Sequence, residues 1–230
     1  MEHPCRAAKG YYKKIKTMTT AIIDYGTGNL RSVENALRRT GADYVITSDA
    51  DTIIRSDRVI LPGVGEASSA MQKLRSFGLD RLIPDLKQPV LGICIGMQLM
   101  CSFSGEGDTA GLGIFHTAVR KLTQDSTGPK LKIPEMGWNT IRLTGQCSET
   151  GGAGLFEGID SRSYVYYVHS YAPDICPQTA AVTEYGREFS AALAKDNFFG
   201  TQFHPEKSGK TGERILDNFI KMDSGQVRIL

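Results

Sequence analysis

One run near the middle of the chain, Val90-Leu91-Gly92-Ile93-Cys94-Ile95-Gly96-Met97-Gln98-Leu99-Met100, restricts the fold more than any other. Val90–Ile93 has no polar break, which predicts a strand buried on both faces. The apolar spacing after Cys94 predicts that a helix opens at once and continues over 95–103. A strand that becomes a helix without intervening loop residues needs glycine on both sides of the pivot, and Gly-x-Cys-x-Gly supplies it. Two readings fit. Cys94 is either a nucleophile held on a strained elbow, or a small buried thiol packing as a hydrophobe in a glycine-rich turn.

The surrounding pattern extends the same architecture. Ala21–Asp24, Tyr44–Ile46 and Val59–Leu61 read as short strands, with helical patterns over Leu30–Thr40 and 67–77 between and after them. This alternation predicts an α/β fold: a mostly parallel central sheet flanked by helices, with ligand sites at the carboxyl ends of its strands. From Gly111 the rhythm changes. Turns rich in Gly, Ser and Thr separate strand-like pieces at Ala118–Leu122, Asn139–Leu143, Tyr164–Val168, Ala191–Lys195 and Phe198–Phe203, and a helix closes over 212–222. An antiparallel portion added to a single domain accounts for this second half. No internal repeat interrupts it.

Chemistry concentrates at three turns. A thiol needs its thiolate to attack, and an unperturbed cysteine near pKa ~8.5 offers little of it at neutral pH. A helix N-terminus favours the anion by about 0.3–1 kcal/mol, at most ~2, whereas one pH unit is ~1.4 kcal/mol. A base is therefore required. Phe198-Phe199-Gly200-Thr201-Gln202-Phe203-His204-Pro205-Glu206-Lys207 places a histidine where an apolar strand ends and a carboxylate two residues later. His204 can take the thiol proton, and Glu206 can fix its tautomer and stabilise the imidazolium. Pro62-Gly63-Val64-Gly65 follows another strand; it is either a simple turn or a flexible backbone whose N–H groups, with that of Ile95, meet an oxyanion. Gly26-Thr27-Gly28-Asn29-Leu30-Arg31 resembles a dinucleotide fingerprint, but Arg31 stands where the third glycine belongs. His3 and His116 lie outside these motifs.

Charge and composition remove other classes. The formal net charge is +2, but residues 1–17 carry five basic groups against Glu2, a local +4 that leaves the remainder at −2. No basic stripe suited to nucleic acid is left, and no apolar run approaches a membrane span or a secretory signal. A chain of this size buries about 70% of its unfolded surface, so it needs neither disulfide nor metal staple. Cysteines at 5, 94, 101, 147 and 176 form no CxxC pair, which predicts reduced thiols and a cytoplasmic address. Met18 precedes the first strand directly. Residues 1–17 are therefore expected to be a basic tail or a non-native extension, 18–222 the domain, and 223–230 a C-terminal tail.

The elbow, His-Pro-Glu and Pro-Gly-Val-Gly together resemble the class I, triad-type glutamine amidotransferases. Tyr25-Gly26-Thr27-Gly28-Asn29-Leu30-Arg31-Ser32-Val33, Met136-Gly137-Trp138-Asn139 and Val168-His169-Ser170-Tyr171 are similar to the glutaminase subunits of that family that serve histidine biosynthesis. The similarity spans about residues 19–222. It implies a flavodoxin-like fold, L-glutamine as substrate, no cofactor or metal, and a heterodimer with a (β/α)8 cyclase subunit. That partner would use the ammonia to form imidazole glycerol phosphate and aminoimidazole carboxamide ribotide.

The resemblance also distributes roles. Cys94, His204 and Glu206 would form the triad, and Gly63, Val64, Gly65 and Ile95 the oxyanion hole. Gln98, Glu106, His169, Ser170 and Tyr171 would hold glutamine, with Glu106 reading its ammonium. Asn29, Trp138, Tyr166 and Lys207 would face the partner near the ammonia passage, Trp138 from an exposed turn. The segment 101–111 is richer in Ser, Gly and Asp than the family pattern. Three other readings are a glutaminase of another pathway, which MGWN and GTGNLRSV oppose, a cysteine peptidase, which ammonia release from glutamine would exclude, and a non-catalytic scaffold, which the intact Cys94, His204 and Glu206 oppose.

Overall fold

The computed structural model describes residues 18–27, 29–123, 131–148 and 151–222; the basic segment 1–17, Gly28 and the tail 223–230 lie outside them. The first half alternates as its hydrophobic pattern requires: β1 (Thr19–Ile23), α1 (Leu30–Thr40), β2 (Asp43–Thr47), α2 (Ala50–Arg55), β3 (Arg58–Leu61), α3 (Ala67–Ser76), α4 (Leu79–Leu82), β4 (Val90–Ile93) and α5 (Ile95–Met100). The second half is strand-rich: β5 (Cys101–Ser104), β6 (Thr109–Ala110), β7 (Phe115–Lys121), β8 (Glu135–Thr140), β9 (Arg142–Leu143), β10 (Tyr164–His169), β11 (Tyr171–Pro173), β12 (Thr179–Tyr185), β13 (Arg187–Lys195) and β14 (Phe198–Thr201), closed by α6 (Gly209–Lys221).

The main sheet has the order β2-β1-β3-β4-β14-β13-β12-β9. From β2 to β14 its pairings are parallel, and β13, β12 and β9 continue it antiparallel. The α1 crossover moves one way along the sheet and the α3 crossover the other, so right-handed connections put these helices on opposite faces. Accordingly α1 packs with α6, and α3 with α4 and α5. Helices on both faces explain why Val59–Leu61 of β3 and the whole of β4 read as unbroken apolar runs; every residue of both strands is buried, Arg58 included. Two smaller sheets, β11-β7-β5-β6 and β10-β8, carry the rest.

The chain returns from the antiparallel strands to place β14 directly beside β4, with Thr201 opposite Ile93. The residues that follow these two strands therefore emerge side by side at their carboxyl ends. The Cys94 amide donates to the Thr201 carbonyl at 2.8 Å and continues the ladder to the pivot itself.

Three expectations are corrected. The helix opened at Ile95 stops at Met100 rather than continuing to Phe103, because Cys101–Ser104 pairs with both β6 and β7. Trp138 lies on a strand, β8, not in a turn. The change of rhythm therefore begins at Cys101, ten residues before Gly111. Helix α2 was not anticipated, although Asp49 caps it by accepting the Thr52 amide at 2.8 Å. Among the described residues no helix is long and apolar enough to cross a membrane.

Candidate active site

Cys94 sits between β4 and α5 with φ 53° and ψ −109°, a left-handed-side conformation that costs a non-glycine residue of order 1–3 kcal/mol. The surrounding structure holds it there. A Cβ on Gly96 would run into the Leu61 carbonyl, so glycine alone lets α5 start this close to β3. The nucleophile-elbow reading of the sequence thus has its geometry, and Cys94 is buried with its sulfur toward a cavity of about 330 Å³.

His204 follows β14 and is fixed by its neighbours. Its amide donates to the Tyr166 carbonyl at 2.9 Å, and its carbonyl accepts from the Ser208 hydroxyl at 2.7 Å. Nδ1 lies 2.9 Å from Glu206 Oε1. A carboxylate can only accept, so Nδ1 carries a proton and the other ring nitrogen is left to interact with Cys94 in the same cavity. Burial lowers the imidazole's pKa, but the hydrogen bond and charge of Cys94, followed by those of Glu206, outweigh it and push it up to about 10. The imidazole is thereby disposed to carry its second proton.

The cavity wall includes Val64, Gly65, Ile95, Gln98, Glu106, Ser170, Tyr171 and Lys207, together with Val168 and with Pro134, which the sequence did not single out. Gly65 has φ +96°, which favours glycine there. Gly63 does not line the cavity. It packs beneath, where an added Cβ would stand 2.8 Å from the Gly96 nitrogen and 2.9 Å from the Tyr25 hydroxyl. That hydroxyl donates to the Pro62 carbonyl at 2.8 Å and pins the start of the loop from below. Burial pushes the Tyr25 phenol up to about 12, so it remains a donor.

Gln98 Nε2 donates to the Tyr171 carbonyl at 2.9 Å and to Gln202 Oε1 at 3.0 Å, while its own Oε1 is buried and has no partner among the described residues. An unpartnered buried acceptor in a cavity wall awaits a donor from a ligand. Glu106 Oε2 accepts the Ala67 amide at 3.0 Å, tying its loop to the start of α3. Burial raises the Glu106 pKa, partly offset by that amide.

His169 lines the same cavity, in the segment that the resemblance places over the substrate. Its ring is buried against Phe189 and Tyr167. Nδ1 lies 2.9 Å from the Tyr171 carbonyl, which only accepts, so Nδ1 carries a proton, and Nε2 lies 3.0 Å from Glu135 Oε2. His169 thus braces the 169–171 backbone that lines the cavity. Glu135 was missed because it carries no motif of its own.

Asn29, Trp138 and Tyr166 do not line the cavity. Trp138 meets Tyr166 edge-on, with ring centroids 5.8 Å apart, across the β8–β10 pair. Met136, Trp138 and Tyr164 are 64%, 55% and 61% exposed and share one face of that pair by alternation and register. An added Cβ on Gly209, two residues beyond Lys207, would stand 3.8 Å from the Trp138 ring, so this apolar face adjoins the cavity mouth. Among the described residues no group of three or more His, Cys, Asp or Glu is placed to hold a metal ion.

Comparison with known proteins gives this arrangement a family. The model for "Glutamine amidotransferase class-I" matches residues 21–222. The imidazole glycerol phosphate synthase subunit HisH of Bacteroides fragilis is 51% identical over 205 residues, 89% of this chain and 100% of that protein. The subunit of the same name from Yersinia pseudotuberculosis is 45% identical over 206 residues, again 89% of this chain and 100% of its own. Among solved structures, a glutamine amidotransferase from Thermotoga maritima matches with a TM-score of 0.57 at 17% identity, covering 86% of this chain and 80% of that one. That likeness concerns the fold.

Proposed function

The chain belongs to the class I glutamine amidotransferases, and from that premise we propose that it is the glutaminase subunit of imidazole glycerol phosphate synthase. One observation carries the reading: in a chain 51% identical to a HisH subunit, the strand-end thiol Cys94 meets the buried His204–Glu206 pair in a single cavity. In this reading the Cys94 thiolate adds to the side-chain amide carbon of L-glutamine. N–H groups of the 63–65 loop and Ile95 stabilise the oxyanion. The C–N bond breaks as the His204 imidazolium gives its proton to the departing ammonia, leaving a γ-glutamyl thioester. His204 then takes a proton from water, which attacks the thioester; glutamate departs and the thiolate returns. Glu206 keeps the imidazole in its working tautomer throughout.

Gln98 Oε1 and the Glu106 carboxylate are the acceptors for the glutamine ammonium, and the 169–171 backbone borders its carboxylate. The exposed face of Met136, Trp138 and Tyr164, next to Lys207, suits a large apolar partner. We assign it, with Asn29 and Tyr166, to a (β/α)8 cyclase subunit that receives the ammonia and yields imidazole glycerol phosphate and aminoimidazole carboxamide ribotide in the cytoplasm. The glycines flanking Val64 let the oxyanion loop change peptide orientation, and a missing oxyanion donor costs ~2.7–4 kcal/mol, two to three powers of ten in rate. Steady-state glutaminase rates for the chain alone, with the cyclase, and with cyclase plus ribotide are therefore expected to rise in that order. Equal rates in all three would remove the switch; no ammonia from glutamine in any of them would remove the function.

A further inference from the structure

We propose that Gln202 is a further catalytic group of this site: its amide N–H donates to the Cys94 sulfur and its carbonyl oxygen sets the orientation of the Gln98 amide. The proposal rests on the glutaminase reading of Cys94 and adds a member to it.

Gln202 follows β14 and is fully buried, and its backbone N–H donates to the Ala191 carbonyl at 2.8 Å. Side-chain Nε2 lies 3.7 Å from Cys94 Sγ, within hydrogen-bond reach for sulfur. Oxygen and nitrogen of an amide are hard to tell apart by shape, but here the network decides. The Tyr171 carbonyl can only accept, so the Gln98 atom 2.9 Å from it is Nε2. The second hydrogen of that same NH2 points to Gln202 at 3.0 Å, which must answer with Oε1. Its remaining group, Nε2, then faces sulfur. A relay therefore runs from a backbone carbonyl through two amides to the nucleophile, each orientation forced by the one before.

Two consequences follow for chemistry. A thiolate gains from an N–H donor more than a thiol does, since hydrogen bonds to ionised groups are about twice as strong as neutral ones. The Val168 carbonyl, 3.9 Å from Sγ, can accept from the thiol but offers nothing to the thiolate. Gln202 is thus a side-chain donor that serves the charged form. Because Gln98 has spent both N–H groups, it presents the cavity with an acceptor alone, a selection for substrates that bring a donor to that point.

The test compares Gln202→Glu and Gln202→Met with wild type. The Glu variant keeps size and an acceptor toward Gln98 but, ionised, replaces the N–H with a like charge beside the thiolate; the Met variant removes both functions at similar volume. Glutaminase kcat and KM are measured in the complex with cyclase and ribotide. Iodoacetamide alkylation is followed on the Cys94 peptide of the chain alone across pH. Expected are a fall in kcat of about tenfold for both variants, a higher KM for Gln202→Met, and alkylation profiles moved to higher pH, furthest for Gln202→Glu. A Gln202→Glu profile that coincides with wild type overturns the proposal, whatever Gln202→Met does. So does a loss of rate with no displacement in pH, which assigns Gln202 to packing. A wild-type complex that releases no ammonia from glutamine, by contrast, overturns the glutaminase reading itself.

Discussion

At the scale of single residues, His204 is set by opposing influences. Burial works against its charge, and Cys94 and Glu206 together prevail, holding its pKa near 10 rather than the ordinary 6.5. A folded value above the unfolded one contributes stability that is complete below about 6.5 and is lost as pH rises through about 10. The gap in urea midpoint between wild type and His204→Gln should therefore be widest near pH 6 and close as pH climbs through 10. A gap independent of pH would mean that the imidazole is not charged in the fold. Cys94, His204 and Glu206 were legible in the sequence because each stands in a short motif whose neighbours dictate its backbone. Gln202 stands in the same motif, yet its role depends on Gln98, 104 residues away in sequence, and on a carbonyl of β11. The same holds for Glu135, whose partner His169 is met only through β8–β10 pairing. Local pattern carries no trace of such relations.

At the scale of elements, the decisive piece is α5. All of its residues are buried, and its start is pressed against β3 at Gly96. Gly96→Ala puts a methyl group against backbone that cannot rotate away, so overpacking should cost at least about 3 kcal/mol or prevent folding. Urea unfolding measures it; a loss below about 1 kcal/mol would show that the helix can slide off β3. Helix α1 was readable to its ends because its apolar stripe at Val33, Ala36 and Leu37 is complete and Gly41 terminates it in the left-handed region. The end of α5 was not, since Leu99, Met100 and Cys101 continue the apolar spacing, and only the pairing of Cys101–Ser104 with β7 converts the chain to strand. Helix α2 could have been found from Asp49 and Thr52, an N-cap pair ahead of a short apolar turn.

At the scale of the whole molecule, the alternation of strands and helices was enough for the parallel sheet, but not for the insertion of β14 beside β4, which brings two motifs more than 100 residues apart into one cavity. Strand order is decided by long-range packing, and no local pattern encodes it. The cavity opens next to the exposed Trp138 face, so the proposed hydrolysis and the proposed partner contact would lie on the same side of the fold. Trp138→Ala should weaken cyclase binding by at least about 2 kcal/mol, roughly thirtyfold in affinity, while leaving the unfolding midpoint of the isolated chain within error. Binding unchanged in a titration would move the interface elsewhere. The most direct test is made on the complex with cyclase and ribotide, comparing wild type with Cys94→Ala for ammonia released from glutamine and for product formed from added ammonium salt. Cys94→Ala is expected to release none from glutamine and to form no γ-glutamyl adduct, yet to make product from ammonium salt at nearly the wild-type rate. Glutamine hydrolysis persisting in Cys94→Ala above the uncatalysed background would contradict it.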